Sequence, residues 1–78
     1  MGRKGIGAYS AKEMGLFVRV VREKRGLSVE ALARRMGIVA RRLERIEAGK
    51  VDLWIEEWVA FCQALGLTLL GEEKRRKS

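Results

Sequence analysis

Residues 28–47, SVEALARRMGIVARRLERIE, decide the fold of this 78-residue chain. Apolar residues recur at helical spacing on both sides of Gly37: Leu32, Ala33 and Met36 before it, then Ile38, Leu43 and Ile46 after it. Ser28 is a natural N-cap and Leu27 is placed to staple against Leu32, although Ala31 leaves the capping box incomplete. Gly37 can take the positive φ that a tight turn between helices requires. The stretch therefore predicts two short helices, the second over about residues 39–48 and ended by Gly49. Their apolar sides face inward, while Arg41, Arg42 and Arg45 project away from them.

Before this pair, residues 11–25 place Met14, Phe17, Val18 and Val21 on one helical stripe that stops at Gly26. Leu16 and Val20 lie beyond the stripe and ask for a second contact, with Ile6 and Tyr9 or with another chain. Arg22 is a charge near the apolar stripe and needs a partner. After the pair, Asp52 is positioned to cap a fourth helix over about residues 53–64. Its apolar residues span more than the roughly 100° stripe of a one-sided helix. Trp54, Trp58 and Phe61 either close a small core or anchor a dimer interface.

Residues 67–70, LTLL, have two readings: a short strand pairing through Leu67 and Leu69 across a twofold axis, or an apolar turn packed back on the core. The expected fold is all-α, a compact domain of four to five helices, with any β-strand confined to that dimer interface. The expected organisation is a flexible basic arm (1–10), a folded domain (11–70) and a basic tail (71–78).

Composition narrows the function classes. Hydrophobic residues make up 47% and charged residues 35%, a globular balance, in a chain near the lower size limit for an independent core. A partner copy is expected for that reason. No apolar run approaches the roughly 20 residues of a transmembrane helix and no signal-peptide pattern opens the chain, so a cytoplasmic location is expected. The net charge is +7; each end carries +2, leaving +3 for residues 11–71. Such a balance favours a polyanionic partner, either nucleic acid or an acidic membrane surface. With one cysteine, Cys62, and no histidine, disulfide frameworks, Cys/His zinc sites and His-based catalysis are excluded. Neither an enzyme nor a metal or other cofactor is expected, and Cys62 reads as a small core residue.

The order LSVEALARRMGIVARRLERIEAGK, residues 27–50, resembles the Cro and lambda-repressor type of helix-turn-helix, the Xre family, over about Gly15 to Gly66. The resemblance implies a lambda-repressor-like domain whose second motif helix reads double-stranded DNA, with Arg22 and Glu47 forming a buried ion pair. Ala40, Arg41, Glu44 and Arg45 then become candidates for base reading. Arginine suits guanine, Ala40 a thymine methyl, and Glu44 either accepts from cytosine or orients Arg41. Ser28, Arg42 and Lys50 become candidates for phosphate contact. The implied function is a transcriptional regulator, a homodimeric repressor reading an inverted repeat near the nucleoid. The chain also resembles the small antitoxins of toxin–antitoxin operons, which bind a protein toxin and autoregulate their own promoter. Two departures stand out: Val39 where relatives carry Ser or Thr, and Val29 where they carry Gln.

Overall fold

The computed structural model describes residues 9–67. It contains four helices: α1 (Ala11–Lys24), α2 (Val29–Met36), α3 (Ala40–Glu47) and α4 (Ile55–Leu65), with no strand among the described residues. The periodicity that predicts the helices also selects the core. Met14 and Val18 of α1, Leu32, Ala33 and Met36 of α2, Leu43 and Ile46 of α3, and Phe61, Cys62 and Leu65 of α4 are all buried. Helix α3 packs against both α1 and α2, and α2 also packs against α4.

Helix α1 begins at Ala11, as its spacing predicts, and is capped by Ser10, the last residue of the expected arm. Ser10 Oγ accepts from Glu13 N–H at 3.1 Å while Glu13 Oε1 accepts from Ser10 N–H at 2.9 Å, a complete capping box. The arm residues Arg3 and Lys4 lie outside the described residues. Ser28 caps α2 by accepting from Ala31 N–H at 3.0 Å. Gly37 then turns the chain at φ 77°, and Ile38 N–H closes the helix end on Ala33 C=O at 3.0 Å.

Two glycines set the geometry differently. Gly37 supplies the left-handed backbone that a Cβ would strain, whereas Gly15 supplies space. A Cβ on Gly15 would overlap the carbonyl oxygen of Ile46 and press on that of Glu47, so α1 lies directly against the end of α3.

Helix α4 starts later than expected. Asp52 does not cap it; Trp54 is the N-cap residue, and its backbone N–H donates to Glu57 Oε1 at 2.9 Å. Trp54 is extended, at φ −78° and ψ 157°, where its N–H meets the Glu57 carboxylate, and Leu53 before it is buried in the core at 2% exposure without being helical. Phe61 is also corrected, being fully buried and thus a core residue rather than a surface for a second subunit. It sits in an aromatic cluster, 6.1 Å from Phe17 and 5.7 Å from the half-buried Trp58. Leu67 N–H donates to Cys62 C=O at 2.8 Å and closes α4, so it completes a helix end rather than starting a strand. Leu69 and residues 68–78 lie outside the described residues.

Candidate nucleic-acid interface

Eight residues of helix are too few to be stable alone in water, so the orientation of α3 depends on what holds it. Its inward side chains, Leu43 and Ile46, are fully buried. Each end is also held by an arginine–carboxylate pair. At the C-terminal end, Arg22 Nε and Nη2 of α1 donate to the two carboxylate oxygens of Glu47 at 2.7 and 3.0 Å. Arg22 Nη1 further donates to Leu27 C=O at 2.7 Å. The two side chains are only 11% and 7% exposed, so the pair is withdrawn from water. The hydrogen bond to Glu47 raises the Arg22 pKa, outweighing the burial that would lower it.

The second tie departs from the sequence reading. Arg42, expected at phosphate, turns toward α4: its Nε and Nη2 donate to Glu57 at 2.8 and 2.9 Å, and Nη2 also reaches Asp52 C=O at 2.9 Å. Its guanidinium stacks over Trp54, 4.8 Å from the ring centroid. The hydrogen bond to Glu57 raises the Arg42 pKa against the opposing cost of burial. One carboxylate thus serves two elements, receiving Arg42 and the Trp54 N–H together. Sequence reasoning missed Glu57. The available signal was its position three residues beyond the N-cap Trp54, where an acidic side chain can fold back on the N-cap backbone N–H.

The remaining candidates are arranged as helical spacing requires. Arg41, Glu44 and Arg45 are exposed on α3, and with Ala48 and Lys50 they line one shallow depression. Among the described residues, none of Arg41, Glu44, Arg45 and Lys50 forms an ion pair, so Glu44 does not pair with Arg41. Ala40 is different, half-buried against the core. Ser28 is exposed at the start of α2, and its hydroxyl accepts from Ala31 while keeping a proton to donate. Of the interface candidates on α4, Trp54 is 37% exposed beneath Arg42 and Trp58 is half-buried in the aromatic cluster. No described helix is long and apolar enough to cross a membrane.

A solvent-facing row of unpaired arginines on a helix fixed at both ends can present guanidinium groups to a polyanion in a set geometry. The sequence model of the helix-turn-helix domain matches residues 13–76. Several solved structures share the fold. The clp gene regulator ClgR from Corynebacterium glutamicum superposes with a TM-score of 0.72 at 23% identity, covering 77% of this chain and 64% of its own. This chain therefore spans less than two thirds of the ClgR chain. The restriction-modification controller protein C.AhdI from Aeromonas hydrophila gives 0.71 at 24% identity over 74% of this chain and 88% of its own. A chain of the HipA–HipB–O2–O3 complex gives 0.66 at 18% identity over 90% and 99%. A search of curated protein sequences finds no match.

Proposed function

The chain belongs to the helix-turn-helix domain family, whose members are DNA-binding regulators, and from that premise we propose a sequence-specific, homodimeric transcriptional repressor. It reads an inverted-repeat operator by placing α3 of each subunit in successive major grooves, about 34 Å apart. The observation that carries this reading is the exposed, unpaired set Arg41, Glu44 and Arg45 on α3. Arg41 and Arg45 donate two parallel hydrogen bonds each to guanine O6 and N7, and Glu44, with no arginine partner, accepts from cytosine N4. Ser28 and Lys50 hold phosphate and set the register. Residues 1–10 and 71–78 add electrostatic attraction, and the protein works in the cytoplasm on the nucleoid. The dimer uses Trp54 and the neighbouring exposed Ile55 at the start of α4.

Selection of bound duplexes from a random library, followed by footprinting, tests the reading. An inverted repeat with half-sites one helical turn apart is expected, and recovery of no common sequence overturns it. In the selected site, Arg45→Ala relaxes preference at one base pair per half-site; uniform weakening would make Arg45 a phosphate contact.

A second reading, an antitoxin that also holds a protein toxin, draws support from the likeness to nearly all of a chain taken from a HipA–HipB–O2–O3 complex. Co-purification of one defined partner expressed from the adjacent reading frame would favour it.

A further inference from the structure

Val39 stands where α3 begins, and neither packing nor capping accounts for a valine there. A helical residue at this position would lie four residues before Leu43, on the buried side. Its backbone is instead extended, with φ −78° and ψ 150°, and the side chain is left 69% exposed. It makes no cap hydrogen bond, and valine is among the poorest residues for an N-cap. Replacing a good cap by such a residue costs a helix stability, and an exposed branched side chain recovers none of that by burial. Next to it, Ala40 is half-buried against the core, so the apolar group offered to a ligand at this end of α3 is Val39.

Resting on the DNA-binding reading above, we infer that Val39 reads the C5-methyl group of a pyrimidine in the major groove. In helix-turn-helix docking the N-terminal residues of the second helix meet base edges. The apolar group presented on those edges is the methyl at C5, carried by thymine and equally by 5-methylcytosine. Valine suits this contact because its χ1 is stiff, so little side-chain freedom is lost when it is held against a methyl. The contact complements Arg41 and Arg45, which supply hydrogen bonds but no apolar surface. It also moves the methyl-reading role from Ala40 to the residue before it.

The test uses the full chain and its selected operator duplex. Thymines are replaced one at a time by deoxyuridine, which removes only the methyl, and in a separate series cytosines are replaced by 5-methylcytosine, which adds it. At one position per half-site the methylated base should bind about four- to tenfold more tightly than its unmethylated counterpart. Sensitivity in the first series identifies thymine, and in the second 5-methylcytosine; either supports the inference. Val39→Ser provides the control, since serine improves the cap and leaves the fold intact. That variant should still bind the operator but bind methylated and unmethylated duplexes alike. Selective binding that ignores the methyl at every position, or equal methyl sensitivity in Val39→Ser, overturns the inference and leaves the DNA-binding reading standing. Absence of any sequence-selective binding overturns both.

Discussion

Replacing Arg22 with Met tests whether the pair with Glu47 is a buried structural tie. The geometry sets the magnitude. Arg22 is 11% and Glu47 7% exposed, and two hydrogen bonds of 2.7 and 3.0 Å join them, so removing Arg22 strands a carboxylate that water scarcely reaches. Breaking such a pair from one side costs roughly 3–5 kcal/mol. A domain has only about 5–15 kcal/mol in total, so the variant should lose a fifth or more of its stability, and its unfolding midpoint in urea should fall accordingly. Glu47→Leu should cost less, because Arg22 keeps Leu27 C=O at 2.7 Å and has the exposed Glu23 carboxylate 3.8 Å away. The double variant Arg22→Met/Glu47→Leu should be more stable than Arg22→Met alone, since no charge is left stranded. Urea unfolding followed by tryptophan fluorescence measures all three. A loss below about 1 kcal/mol for Arg22→Met, the level of an exposed pair, or a double variant no better than the worse single one, would refute the argument.

Three further outcomes follow from the same geometry. Arg42→Ala should lower stability without changing how the logarithm of DNA affinity depends on the logarithm of salt, whereas Lys50→Ala should reduce that slope by about one. A reduced slope for Arg42→Ala would return Arg42 to the phosphate. Gly15→Ala should destabilise by roughly 1–3 kcal/mol, because its methyl meets backbone oxygens of Ile46 and Glu47 that cannot rotate aside; a neutral result in thermal unfolding would show that the two helices separate easily. Burial pushes the Cys62 thiol pKa up in the folded chain. The unfolded chain therefore loses this proton first, so stability should fall as pH rises above about 8.5, the ordinary thiol value. Cys62→Ala should flatten that decline, and alkylation of native Cys62 should be slow at every pH where the fold persists.

Much of the fold is legible in the sequence because burial follows helical spacing residue by residue. Met14, Val18, Leu32, Ala33, Met36, Leu43 and Ile46 are all buried where periodicity places them. Gly37 is legible because a positive φ at a turn has one natural occupant. The outward set Arg41, Glu44 and Arg45 is likewise a matter of phase along one helix.

What spacing does not reveal is a contact between elements. Arg42 sits on the flank of α3, where water, phosphate or a carboxylate are all within reach. The choice falls to Glu57, fifteen positions away, and depends on where α4 begins. That start lies at Trp54, whose N–H the same Glu57 carboxylate receives. Gly15 follows the same logic, since its smallness matters only once α1 and α3 cross. The Ser10–Glu13 box, by contrast, is a local pattern three residues apart, of the kind that a sequence carries on its face.

The double anchoring of α3 has a consequence for how this protein diversifies. Stability is invested in residues 22, 42, 47 and 57 and in the apolar inner face, while Arg41, Glu44 and Arg45 contribute to neither. Substitutions at these three positions therefore meet almost no folding penalty. A descendant or a designed variant can exchange them wholesale without having to re-optimise the scaffold that displays them, and under the proposed DNA-reading role such an exchange would change the target.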